Sequence, residues 1–285
     1  MKTLLITGIN GFLGSHLAKR FSKSYRIIGT EFSKENLFRI KDFSFTVYLS
    51  DRKSIKRIFT ENSIDIIIHT ATFYGKSNEE ISQIAETNLF TPFEILDLAI
   101  KNNVGLFINT DTSLHRYTSI YALTKKQFND WLYYRSKEIK SINIQLEHFY
   151  GLGCSNSNFI TSMIEKLMNN EPVIDLTKGE QKRNFNYYED ILDAYELIFN
   201  SKDILQNNFN HIEVGSGELI TIKELMILLK DLTGSSSILN FGAIPYREHE
   251  LMESKLDNKS ILRLGWVPKV SIKEGIIKII TEKTK

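Results

Sequence analysis

The chain has 285 residues, 42% hydrophobic and 25% charged, and its 36 Lys and Arg against 34 Asp and Glu leave a net charge of +2. That balance argues against a general nucleic-acid binder or a membrane-surface protein, whose usual footprint is a strong basic excess. Cys154 is the single cysteine, which excludes an intrachain disulfide and argues against a cysteine-based zinc site. No apolar run approaches the roughly 18 residues of a spanning helix, and the N-terminus turns at Gly8 without a signal-peptide core, so a cytoplasmic protein is expected.

Taken in chain order, the first half alternates short β-branched runs with longer amphipathic segments. Residues 4–7 predict a buried strand, and a helix follows over about 12–21. Strands are predicted at 26–29 and 45–49, then a helix through Phe59 capped by Asp51 or Ser54. A strand at 65–68 precedes one long helix over about 81–99, and a strand at 106–108 precedes a helix over about 120–135 and a strand at 142–146. Such alternation implies βαβ units and a doubly wound parallel sheet with both faces covered. Beyond Tyr150 the rhythm changes, and two capping boxes, Thr221 with Glu224 and Ser271 with Glu274, mark later helices. The expected architecture is α/β: residues 1–150 as the first domain, with 184–216 returning to it. Residues 151–183 and 217–285 form a second, smaller α+β domain.

Gly8-Ile9-Asn10-Gly11-Phe12-Leu13-Gly14 is a G-x-x-G-x-x-G loop between the first strand and the first helix. Glycines there allow a tight turn and close backbone approach, and the free N–H groups of a helix N-terminus suit a pyrophosphate. Glu31 ends the second strand 17 residues after Gly14, where a carboxylate can accept from both hydroxyls of an adenosine ribose and repel a 2′-phosphate. That favours NAD(H) over NADP(H), with Lys34 and Arg39 near enough to soften the repulsion. Asp51 is either an adenine contact or only a helix cap.

Tyr121 and Lys125 stand at i, i+4 on a predicted helix, so the phenol and the ammonium share one face. A neighbouring lysine favours the phenolate, which suits the tyrosine to proton transfer. Asn109-Thr110-Asp111-Thr112-Ser113 offers hydroxyls after the fifth strand. The six histidines show no metal-binding spacing, so no metal site is expected, and no nucleophile elbow points to a hydrolase. Arg52-Lys53 and Lys56-Arg57 read as a solvated helix face.

These residues resemble an extended short-chain dehydrogenase/reductase of the NAD-dependent epimerase/dehydratase family. Thr7 to Gly14 matches its T-G-x-x-G-F-x-G, and His69-Thr70-Ala71-Thr72 matches its H-x-A-A except at the last position. Asn88, Tyr121 with Lys125, and Tyr150-Gly151-Leu152-Gly153 follow in order. The stretch from Gly179 to Asp190 and the tail containing Arg247, Glu250, Asp257 and Leu264-Gly265-Trp266-Val267-Pro268 complete the match. The resemblance implies a Rossmann-type domain in which Gly8, Gly11, Phe12, Leu13, Gly14, Glu31 and Asp51 face a dinucleotide. It implies that Thr110, Tyr121 and Lys125 do the chemistry at sugar O4, with Tyr121 and Lys125 also touching the nicotinamide ribose. His148, Arg183, Arg247 and Glu250 are implied contacts of a nucleoside-diphosphate sugar held between the domains. A homodimer is expected, with no nucleic-acid or membrane partner.

Departures from the pattern narrow the chemistry. Thr110-Asp111-Thr112 lacks the glutamate of the dehydratases' Thr-Asp-Glu, which counts against 4,6-dehydration. Asn184, Gln145 and His148 also depart from common residues. The stretch 109–128 most resembles CDP-dideoxyhexose synthases of the paratose and abequose type, which reduce a 4-keto sugar. Net ketoreduction with Tyr121 as proton donor is therefore expected, which would favour NADPH against the preference of Glu31 for NAD(H). A 4-epimerase with tightly held NAD is the alternative, and a non-catalytic dinucleotide sensor is a remote one.

Overall fold

The computed structural model describes residues 1–75, 79–201, 206–247 and 250–284. The strands are β1 (Thr3–Thr7), β2 (Arg26–Glu31), β3 (Thr46–Leu49), β4 (Ile66–His69), β5 (Leu106–Thr112), β6 (Ser141–Leu146), β7 (His148–Tyr150), β8 (Val173–Leu176), β9 (Lys182–Arg183), β10 (Phe185–Tyr187), β11 (Phe209–Val214), β12 (Ile220–Thr221) and β13 (Ile238–Phe241). The helices are α1 (Phe12–Phe21), α2 (Arg52–Glu61), α3 (Ile81–Ala85), α4 (Thr91–Lys101), α5 (Ile120–Tyr134), α6 (Phe159–Met168), α7 (Tyr188–Asn200), α8 (Ile222–Thr233), α9 (Lys259–Arg263) and α10 (Ile272–Lys283).

The main sheet has seven strands in the order β11-β6-β5-β4-β1-β2-β3. The pairings β3–β2, β2–β1, β1–β4 and β4–β5 are all parallel. Leu4, Leu5, Ile6, Ile67, Ile68, Phe107 and Ile108 are wholly buried, as strands covered on both faces must be. The chain leaves β1 toward β2 and β3 and returns to the other side of β1 with β4. The order therefore reverses between β1 and β4, and the crevice outside their carboxyl ends is where a doubly wound sheet binds its ligands.

Two predicted elements come out differently. The long helix expected over 81–99 is interrupted by a π-turn, Glu86–Phe90, with α3 before it and α4 after it. Pro92 lies in the first turn of α4; it has no N–H to give and its ring crowds the carbonyl of Asn88, so the α-helical ladder restarts there. Strand β5 runs to Thr112 rather than stopping at Ile108. Asp51, not Ser54, caps α2, accepting from the Ser54 N–H at 3.0 Å, and both predicted capping boxes form.

The chain divides into two compact units, Met1–Gln145 with Asn200–Ile212 and Leu146–Phe199 with Glu213–Lys285. The returning segment is thus shorter than the expected 184–216. Residues before 200 belong to the second unit because β10 pairs in parallel with β7, and α7 accepts from Trp266 Nε1 at the Asp190 carbonyl at 2.9 Å. The first unit's core runs through Leu5, Ile28, Ile58, Ile67, Ile95, Phe107 and Phe128. The second has its own core around Tyr150, Ile164, Tyr187, Leu225, Met226 and Ile276. Among the described residues no helix is long and apolar enough to cross a membrane.

Candidate active site

The glycine loop leaves no room for side chains. Gly8 has φ +67°, and a Cβ there would meet the Ala71 Cα at 2.9 Å. A Cβ on Gly14 would meet the Gly8 carbonyl oxygen at 2.2 Å, and one on Gly11 would meet it at 3.0 Å. Gly8 requires the left-handed conformation and Gly14 the close approach of helix to loop. The loop is tied to the neighbouring strand end: Thr7 Oγ1 accepts from the N–H groups of Thr70 and Ala71, each at 3.2 Å. Leu13 is buried, and the backbone N–H groups of Phe12 and Leu13 lie in the first turn of α1, which holds no acidic residue.

Glu31 reaches this loop. Its Oε2 accepts from the Asn10 N–H at 2.9 Å and its Oε1 from the Phe32 N–H at 3.0 Å. Asn10 is held from its other side by Arg39, whose backbone N–H and guanidinium donate to the Asn10 side-chain and backbone oxygens at 3.1 and 3.2 Å. Asp51 is exposed and engaged as a helix cap, and that hydrogen bonding lowers its pKa.

Tyr121 and Lys125 lie on α5 as expected, but their surroundings differ from the expectation. The Thr112 and Thr72 hydroxyls are the side-chain groups that hold the Tyr121 pKa down. Side chains alternate along a strand, so Thr110 and Thr112 share a face of β5, which runs four residues past Ile108. The pKa of Tyr121 is raised, chiefly by burial and next by the Tyr74 ring at 4.7 Å, while Thr112 and Thr72 oppose the rise. Lys125, expected to lower it, is itself pushed down to about 8 by burial, and its Nζ is buried with no hydrogen-bond partner. The glycine cradle and this orphaned donor, which ribose hydroxyls would satisfy, fit a dinucleotide. His69 is buried with Nδ1 2.8 Å from Thr7 Oγ1, and burial together with Lys125 holds it neutral.

The Asp111 carboxylate is fully occupied. Lys126 Nζ lies 3.0 Å from its Oδ2 and also donates to the Thr112 carbonyl at 2.5 Å and to Gln145 Oε1 at 2.7 Å. Asn143 Nδ2 adds a bond to Asp111 Oδ2 at 3.0 Å, and the Thr112 N–H meets Oδ1 at 2.7 Å. Lys126 had no assigned role in the sequence; its one legible signal was its place beside Lys125. Thr72 was legible only as the residue that breaks the H-x-A-A run.

In the second unit, Arg183 on β9 is buried and forms an ion pair with Glu250, so two expected ligand contacts here hold each other. Burial lowers the Arg183 pKa while Glu250 opposes the fall. His148 is half-exposed, with Nδ1 3.6 Å from the buried Glu147 carboxylate. Arg247 is exposed, and its carbonyl accepts from the Glu250 N–H at 3.1 Å. Among the described residues no group of three His, Cys, Asp or Glu is placed to hold a metal.

Residues 4–215 match the model of the NAD dependent epimerase/dehydratase family. The chain belongs to that family. It is an NAD-dependent enzyme. It is 30% identical to the CDP-abequose synthase of Salmonella typhimurium, over 97% of both chains, and 32% identical to that of Salmonella muenchen, over 99% and 98%. The fold is similar to the UDP-glucuronic acid 4-epimerase of Bacillus cereus in complex with UDP-glucuronic acid and NAD, with a TM-score of 0.86, 20% identity and full coverage of both chains.

Proposed function

We propose that this family member is a nucleoside-diphosphate-sugar 4-ketoreductase. The observation that carries the reading is a half-buried Tyr121 phenol on the helix that also carries Lys125, beside an Asp111 carboxylate committed to Lys126. A phenol can give a proton to a carbonyl oxygen, whereas eliminating water from a hexose needs a free carboxylate base. The likeness to CDP-abequose synthases supports reduction of a CDP-linked 4-keto sugar. The bound nicotinamide supplies the hydride to C4. Tyr121 donates its proton to O4, Lys125 binds the nicotinamide ribose, and Thr110 at the end of β5 hydrogen-bonds the same sugar oxygen. Gly8, Gly11, Gly14 and the N–H groups of Phe12 and Leu13 hold the pyrophosphate, and Glu31 holds the adenosine ribose. In the second unit Arg183, Arg247, Glu250 and His148 hold the nucleotide of the sugar, with Glu250 also neutralising Arg183.

A second reading, NAD-dependent 4-epimerisation, draws on the structural likeness to the UDP-glucuronic acid epimerase and on Glu31, which disfavours a 2′-phosphate. One experiment separates them. The purified protein is denatured and its released nucleotide measured, and the native protein is given NADPH or NADH with a CDP-linked 4-keto-dideoxyhexose. The reductase reading expects no stoichiometric NAD and one dinucleotide oxidised per sugar reduced. Stoichiometric tightly held NAD with no net dinucleotide consumption overturns it in favour of the epimerase.

A further inference from the structure

We infer that Lys126 is a positioning residue: its ammonium sets the register of α5, which carries Tyr121 and Lys125, against the ends of β5 and β6. This rests on the reading of Tyr121 as the proton donor. A lysine ammonium has three N–H donors and no acceptor. Lys126 directs them to three acceptors: Asp111 Oδ2 at 3.0 Å, the Thr112 carbonyl at 2.5 Å and Gln145 Oε1 at 2.7 Å. Asp111 and Thr112 directly follow Thr110 on β5, and Gln145 is on β6. The Lys126 side chain is 17% exposed and that of Asp111 0%, so water competes little for these bonds.

Apolar packing alone does not fix this register. On the same helix Phe128 packs 5.9 Å from the Phe107 ring of β5, and Phe128 and Leu132 are wholly buried. Such contacts hold the helix close to the sheet but are non-directional, whereas hydrogen bonds weaken steeply when bent. The acceptors are themselves fixed. Asp111 Oδ2 also accepts from Asn143 Nδ2 at 3.0 Å, and Asp111 Oδ1 accepts from the Thr112 N–H at 2.7 Å. Asn109 Nδ2 donates to Asn143 Oδ1 at 2.6 Å, and both asparagines are wholly buried, one on β5 and one on β6. The two strand ends therefore offer Lys126 a rigid frame. Tyr121 lies five residues before Lys126, about 7.5 Å along the helix axis, and moves with it. Reacting groups must be held closely in place, and a misplacement of about 1 Å can cost about a hundredfold in rate.

The test compares wild type with Lys126→Met, Lys126→Arg and Gln145→Leu. NADPH is bound first, a CDP-linked 4-keto-dideoxyhexose is added, and the single-turnover loss of NADPH absorbance is followed. The rate is taken per bound dinucleotide, so unfolded protein does not enter it. Lys126→Met should lower that rate about tenfold or more, with Kd for NADPH changed less than about threefold. Lys126→Arg keeps the charge beside Asp111, and with it the fold, but a planar guanidinium cannot give three bonds from one nitrogen, so the rate should stay low. Gln145→Leu removes one acceptor and leaves no buried charge, and it should lower the rate about threefold. A wild-type rate in Lys126→Met, or full recovery in Lys126→Arg, overturns the positioning role and leaves Lys126 as a counter-charge to Asp111. If the wild type epimerises instead of reducing, the same variants are compared on C4 inversion of UDP-glucuronic acid per bound NAD, since both readings use Tyr121. An active Tyr121→Phe overturns the proton-donor reading and the inference with it.

Discussion

An ammonium that is 1% exposed and lacks a hydrogen-bond partner carries a large desolvation penalty, and at Lys125 this brings the pKa down to about 8. Any ligand that offers the ammonium an acceptor favours its charged form and so raises that pKa. Binding and protonation are then linked: affinity is highest below about pH 8, where Lys125 is already charged, and falls as pH rises through that value. NADH titrated by fluorescence should show a flat Kd below pH 8 and a weakening above it, and Lys125→Met should lose the slope along with much of the affinity. A Kd independent of pH in the wild type would remove the ribose role of Lys125. Thr112 and Lys126 belong to the same scale. Thr110 was implied by the resemblance; it, Asp111 and Thr112 all lie in the part of β5 that the apolar run did not mark.

At the level of elements, the π-turn Glu86–Phe90 is the departure with consequences. It turns Asn88 toward the loop after β4, where its amide serves the backbone N–H and C=O of Phe73 at once. A buried amide replaced by a methyl leaves both groups unsatisfied, at about 1–3 kcal/mol each. Asn88→Ala should therefore lose about 2–6 kcal/mol in urea denaturation. Asn88→Asp, which keeps the acceptor and loses the donor, should fall between the two. Loss of less than about half a kcal/mol in Asn88→Ala would mean that water replaces the clamp. The sequence showed the residue and the long apolar periodicity around it, but a single extra residue in a helical turn leaves almost no trace in a 3.6-residue pattern.

For the whole molecule, we propose a homodimer formed through α4 and α5. Trp131 and Tyr134 on α5 are 51% and 74% exposed, with Phe90 just before α4 at 54%. Trp131 packs edge-on against Phe93 of α4 and against Tyr134, so the rings form one face. Aromatic residues left exposed in a group mark interaction sites, and an isologous pairing of two such helix faces would bury them. Sedimentation equilibrium should give twice the chain mass, and Trp131→Glu with Tyr134→Glu should give a folded monomer. A wild-type monomer at all concentrations removes the dimer.

What the sequence determined by itself was whatever is written in local spacing. The glycine loop, the alternation of strands and helices, the i, i+4 pair of Tyr121 and Lys125 and the two capping boxes all act within a few residues of one another, so their meaning survives without the fold. The family followed from their order along the chain. The tertiary structure decided what depends on distant residues meeting. The Thr72 and Thr112 hydroxyls that oppose the rise of the Tyr121 pKa come from two different strand ends, and Lys126 pairs with Asp111 from a neighbouring helix. Arg183 and Glu250, 67 residues apart, neutralise each other, and residues 184–199 join the second unit because β10 pairs with β7. Burial did the rest: it moved the pKa of Tyr121 up and that of Lys125 down, and burial is a property of the folded environment that no spacing encodes.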